Sequence, residues 1–314
     1  MRGRLRESRL TLLLAEIQRP SPRPSPRKSG ERESDRSARG LKATAMLSAS
    51  GFLTIGDATL EYRVAGDTAA PPSIVMLHEG LGSAALWADF PDKLAAATGV
   101  TVLAYSRAGY GASSTVALPR PLTYMHDEAR NILPPLLDAI GFRRGLLLGH
   151  SDGASIATIF AGSIQDHRVR GLVLIAPHFV VEDVGLAAIR AAKAAYEQGD
   201  LKTRLARWHK HVDAAFYGWN GAWLDPGFRS WDITDALAYI RVPVQIVQGE
   251  SDQYGTVRQV EIAQEECYCP VEVAMIAGAG HTPQRERPQV TLDAIAGFAN
   301  RILRMHHEGE AAAP

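Results

Sequence analysis

Residues 146–155 read LLLGHSDGAS, a greasy run that passes straight into Gly-His-Ser-Asp-Gly. The apolar residues up to Leu148 read as a buried strand, and the alanine and isoleucine run after Gly153 reads as a helix packed on it. Ser151 lies between glycines 149 and 153, where a Cβ would collide with neighbouring backbone in a sharp strand-to-helix turn. A serine held there stands exposed at the turn. Five residues alone could equally be an ordinary glycine-rich turn, so the surroundings decide between the two.

The chain has 314 residues, 46% of them hydrophobic and 22% charged, enough for one large domain or two modest ones. No apolar run approaches the roughly 18 residues of a membrane span, so no membrane partner is expected. Cys267 and Cys269 are too few for a disulfide framework and wrongly spaced for a zinc site, and they read as reduced bystanders. A cytoplasmic location is the expectation.

Zero formal net charge conceals an asymmetry: residues 1–45 hold 12 Lys+Arg against 5 Asp+Glu, leaving the rest of the chain acidic. This leader is rich in Pro, Ser and Arg and poor in large apolar groups, so disorder is expected over 1–45. Its apolar stretch LTLLLA is short for a secretory signal, and its five acids argue against a transit peptide. An extension ahead of a true start at Met46 is preferred to a nucleic-acid arm, and no nucleic-acid partner is expected.

From residue 50 onward, short apolar runs alternate with amphipathic stretches. GFLTIG and ATLEYRVAG read as a starting hairpin. SIVMLHEG, VTVLAYSRAG, GLLLGHS, GLVLIAPH, VPVQIVQGES and VEVAMIAGAGH read as later strands, near-continuously apolar like strands buried on both faces. The expected fold class is α/β, a mostly parallel sheet of about eight strands with helices on both faces. A core is assigned to 46–178 and 242–306 with a tail over 307–314, and residues 179–241 between the two core segments read as an inserted helical cap. In that insert Leu201, Leu205, Trp208, Val212 and Phe216 form one helical stripe, above the strand ends where open α/β sheets bind ligands. Trp219, Trp223 and Trp231 supply aromatic surface there, or fasten the insert to the core.

The notable polar residues all fall just past strand ends: His78–Ser83, Ser106–Gly111, Gly149–Gly153, Gly249–Asp252 and Ala279–Pro288. In a parallel sheet those ends share one edge, so five loops converge. With GHTPQRERP at 280–288 and HEGLGSAALW at 78–87, the chain resembles the α/β-hydrolase fold family over residues 50 to about 304. The first stretch is similar to that family's G-H-x-P-x-x-E-x-P ending and the second to its oxyanion loop.

The resemblance implies a serine hydrolase that cleaves small or medium carboxylic esters through an acyl-enzyme. Ser151 would be the nucleophile, His281 its base and then acid, and Asp252 the carboxylate that orients the imidazole, with Glu250 as the alternative acid. The backbone N–H groups of Gly80 and Asp152 would bind the oxyanion. Glu79, Asp152, Trp219 and Trp223 are candidate substrate contacts. His78 and His150 are expected to pack or hydrogen-bond, and His209 and His211, two apart on a predicted helix, make an unlikely metal pair. No metal or cofactor is implied, and the partner is a small-molecule ester.

The chain departs from the family pattern at Glu79, Ser106 and Asp152. Some relatives with an S-D-G elbow act on esters bearing an amino group, so Asp152 would pair either with such a substrate or structurally with Arg107. Cleavage of a carbon–carbon bond in a diketone, acyl transfer, and a ligand receptor without turnover remain alternatives. Oligomeric state stays open.

Overall fold

The computed structural model describes residues 47–311, with side chains to Arg304. The expectation of disorder over 1–45 and the proposed start at Met46 lie outside the described residues. Eight strands form one sheet: β1 Ser50–Ile55, β2 Ala58–Ala65, β3 Ile74–Leu77, β4 Val102–Tyr105, β5 Gly145–His150, β6 Val169–Ile175, β7 Val244–Gly249 and β8 Val271–Ile276. Their order is β1-β2-β4-β3-β5-β6-β7-β8. β1 and β2 form the expected hairpin, β2 runs antiparallel to β4, and all remaining pairs are parallel.

Alternation along the strands explains their unbroken apolar character. Ile74, Met76, Leu146 and Leu148 pack on one face with Phe90, Leu94, Ile295 and Phe298. Val75, Leu77 and Leu147 point to the other face and pack with Leu133, Ile156 and Phe160. The first face is covered by the helices Phe90–Thr98 and Pro288–Ala311, the second by Asp152–Ser163 and the segment around Leu133–Ala139. The closing helix continues to Ala311, past residue 306 where the core was expected to end. No helix among the described residues is long and apolar enough to cross a membrane.

The connection between β6 and β7 carries the helices Asp183–Gln198, Leu201–Leu205, Val212–Leu224 and Thr234–Leu237. The single stripe expected over 201–216 is corrected: the helix stops at Leu205 and restarts at Val212. The cause is tertiary. His209 leaves the helical path because its Nδ1 accepts from the Gly111 N–H at 3.0 Å and its Nε2 donates to the Leu81 carbonyl at 3.0 Å. Those bonds fasten the connection to the loops after β3 and β4, and they place His209 and His211 in a turn rather than on a helix.

Candidate active site

Ser151 occupies the turn between β5 and the helix Asp152–Ser163 with φ 52° and ψ −118°. A non-glycine residue rarely adopts such a conformation, and it persists only where surrounding structure enforces it. Here the enforcement is close packing on both sides. A Cβ on Gly149 would lie 2.3 Å from the Gly153 carbonyl oxygen, and one on Gly153 would lie 2.1 Å from that of Leu77. Both glycines are therefore required sterically, and the serine sits at the sheet's carboxyl edge, where it is buried against the cavity rather than exposed as expected.

His281 follows β8, and its Nδ1–H donates to Asp252, 2.9 Å from each carboxylate oxygen. Asp252 also accepts from the Tyr254 backbone N–H at 2.8 Å and from Gln248 Nε2 at 2.8 Å. Burial pushes its carboxyl pKa up, but the His281 and Tyr254 contacts outweigh this and hold it below the usual 3.8. Glu250, the alternative acid, is exposed. Ser151 and His281 line one cavity of about 260 Å³ with Glu79, Gly80, Trp219 and Trp223.

The backbone around Gly80 is fixed from behind. The Glu79 carbonyl accepts from His78 Nδ1 at 2.7 Å and from Arg107 Nη2 at 3.1 Å, and Arg107 Nη1 donates to the His78 carbonyl. The Arg107 backbone N–H in turn donates to His78 Nε2 at 3.1 Å. In a trans peptide the C=O and N–H point in opposite directions. Pinning the Glu79 carbonyl on Arg107 therefore turns the Gly80 N–H away from it. Among the described residues, no acceptor takes the N–H of Gly80 or of Asp152. Trp219 lies directly over Gly80, where an added Cβ would meet the indole at 2.2 Å.

The Asp152 carboxylate is fully buried. Tyr124 O–H donates to its Oδ2 at 2.6 Å, Trp223 Nε1–H to its Oδ1 at 3.1 Å, and Arg107 Nη2 is 3.9 Å away. Asp152 also lines the cavity, with these donors taking one hydrogen bond on each carboxylate oxygen. Arg107 is thus one partner, as the structural alternative expected, but Tyr124 and Trp223 are nearer. Trp223 does both things expected of the tryptophans, lining the cavity and tying the β6–β7 connection to the core; Trp231 packs on Phe228 and Trp223 outside the cavity lining. His150 is hydrogen-bonded as expected: its Nε2–H donates to the His281 carbonyl at 2.8 Å, with Glu79 Oε2 3.4 Å from Nδ1. Three residues that the sequence reading passed over, His178, Glu182 and Tyr254, also line the cavity. Among the described residues, no group of three or more His, Cys, Asp or Glu is placed to hold a metal ion.

Burial pushes the imidazoles of His78 and His209 below the ordinary 6.5 and that of His178 down to about 3. Each is neutral when folded but gains a proton near 6.5 when unfolded, so its stabilisation is complete above pH 6.5 and is lost as pH falls toward the folded value. Thermal melts at pH 8, 6.5 and 5 are expected to show a Tm that drops between the last two. An unchanged Tm over that interval would contradict the buried neutral state.

The family model described as the alpha/beta hydrolase family matches residues 74–294. The chain belongs to the alpha/beta hydrolase family. It is 29% identical to a proline iminopeptidase of Lactobacillus helveticus over 113 residues, 36% of this chain and 38% of that protein. It is 32% identical to a human (lyso)-N-acylphosphatidylethanolamine lipase over 122 residues, 38% of this chain and 35% of that protein. Each match thus spans well under half of the relative's length. Among solved structures, an esterase from Rhodococcus superposes with a TM-score of 0.62 at 18% identity, covering 81% of this chain and 100% of that one. That likeness is one of fold.

Proposed function

We propose that the protein is a serine hydrolase that cleaves small carboxylic esters through an acyl-enzyme intermediate. The observation that supports this is that Ser151 and His281 line one cavity while His281 Nδ1 is held on the Asp252 carboxylate. With Nδ1 protonated and held, Nε2 keeps its lone pair and takes the Ser151 proton as Oγ attacks the ester carbonyl. Asp252 stabilises the imidazolium that forms. The developing oxyanion accepts from the Gly80 and Asp152 N–H groups, each worth about 3 kcal/mol in the transition state. His281 then protonates the departing alkoxide, and the same imidazole activates the water that releases the acid.

The cavity volume of about 260 Å³ favours small substrates, and Leu81, Ile189, Trp219 and Trp223 favour an apolar group. The helices between β6 and β7 act as the cap, contributing Ile189, Trp219 and Trp223 to that lining. Burst kinetics on p-nitrophenyl esters of increasing acyl length test the proposal, with a burst and a short-chain optimum as the expected result. Trp219→Leu removes the indole over Gly80 while keeping an apolar side chain, and the optimum is expected to move to longer chains. No release from any ester would shift the chemistry toward carbon–carbon cleavage or ligand binding.

A further inference from the structure

We propose that His178 recognises the substrate, and that the preferred ester carries a hydroxyl or carbonyl oxygen within about three bonds of the scissile carbonyl, at roughly 1.5 Å per bond. This rests on the ester-hydrolase proposal and narrows its substrate class. Five histidines of the described residues are buried: His78, His150, His178, His209 and His281. Four have ring nitrogens engaged by the protein. His78 and His209 are bonded at both nitrogens, His150 donates to the His281 carbonyl, and His281 donates to Asp252. His178 differs. It is 6% exposed and lines the cavity, yet neither ring nitrogen meets a hydrogen-bond partner among the described residues.

Its position is nonetheless fixed. The chain leaves β6 through Ala176 at φ 45°, and the His178 carbonyl accepts from Ser155 Oγ at 2.7 Å. The ring stands edge-on to Trp223 at 5.3 Å and lies 5.5 Å from the His281 ring. Gly255 faces its Cε1 and Nδ1 edge. A rigid imidazole without its own partners is a preorganised recognition group, because no rotamer search precedes the contact.

The chemistry of the surroundings selects the partner. With its pKa lowered to about 3 by burial, the imidazole is neutral and offers one N–H donor and one lone pair. A hydroxyl can serve as acceptor or donor to whichever nitrogen faces it, and a carbonyl matches the donor. An anion is disfavoured because Glu79 and Glu182 line the same cavity and no Lys or Arg does. A cation beside His178 is disfavoured because the reaction places positive charge on His281, 5.5 Å away. That same spacing confines the recognised oxygen to the neighbourhood of the scissile carbonyl.

The test compares p-nitrophenyl 3-hydroxybutanoate with the butanoate, and 2-hydroxyethyl butanoate with propyl butanoate. The unmutated protein is expected to favour the hydroxylated member of one pair about tenfold in kcat/KM, and His178→Phe to bring that ratio close to one. The ratio is decisive because a merely structural change in the pocket lowers both rates together. A ratio that survives in the variant, or a stronger preference for the 3-amino analogue, would overturn the assignment. A second measurement needs neither turnover nor a folded His178 variant. In Ser151→Ala protein, the His178 ring nitrogen resonances should shift more on adding 4-hydroxybutan-2-one than on adding butan-2-one, which carries no second oxygen beyond the carbonyl that stands in for the scissile one. Identical responses to the two ketones would also overturn it. A failed hydrolase proposal is distinct: no ester releases product, whatever the resonances do.

Discussion

Ser151→Ala protein is expected to lose ester turnover by about four to six orders of magnitude while remaining folded. The size of the loss follows from the chemistry: without Oγ the His281 base has no proton to take and no acyl-enzyme forms. Binding and the two oxyanion donors remain, which is why the residual rate is not zero. Folding should survive because the close contacts that shape the turn come from Gly149 and Gly153. Alanine keeps the strained φ of 52°, whereas Ser151→Gly relieves it and should raise stability by about 1 kcal/mol. Urea unfolding of the three proteins, beside kcat on one p-nitrophenyl ester, checks both statements. An alanine variant with a rate within tenfold of the unmutated protein would remove Ser151 from the chemistry.

Arg107→Met should carry the second large effect, this time on both stability and rate. The guanidinium is buried, donates to two successive carbonyls of the loop before Gly80, and lies 3.9 Å from the buried Asp152 carboxylate. Removing it leaves Asp152 without its nearest cation, a loss of about 3–5 kcal/mol for a broken buried pair. It also leaves the Glu79 carbonyl held by His78 Nδ1 alone, so the Glu79–Gly80 peptide is less firmly oriented, and full loss of one oxyanion donor would cost about 100- to 1,000-fold in kcat. A lysine keeps the charge but not the planar fork that reaches both carbonyls, so Arg107→Lys should recover stability more than rate. The loss should fall on kcat with KM little changed. Equal recovery of rate and stability by lysine would assign Arg107 to charge balance alone.

Much of this arrangement is readable in short stretches of chain. The residues that shape the Ser151 turn lie within five positions, and the apolar runs announce a sheet buried on both faces because neighbouring residues pack into opposite cores. Asp252 precedes His281 by 29 positions, but each is marked by its place just beyond a strand. What escaped depends on partners remote in sequence. His209 breaks a well-formed helical stripe for acceptors and donors 98 and 128 residues away, which no local periodicity reveals. The Asp152 carboxylate finds Tyr124 and Trp223 across the core, so its burial could not be read from the elbow. His178 is a different matter: it ends the run LIAPH at the same sheet edge as the other loops, and that placement was a usable signal.

The most direct test of acyl-enzyme chemistry is rapid-quench mass spectrometry of the protein mixed with a short-chain p-nitrophenyl ester. Ester hydrolysis by this route predicts a transient mass gain equal to one acyl group, located by peptide mapping on Ser151 and absent from the Ser151→Ala protein. Turnover without any acylated species, or an acyl group on a residue other than Ser151, would contradict it.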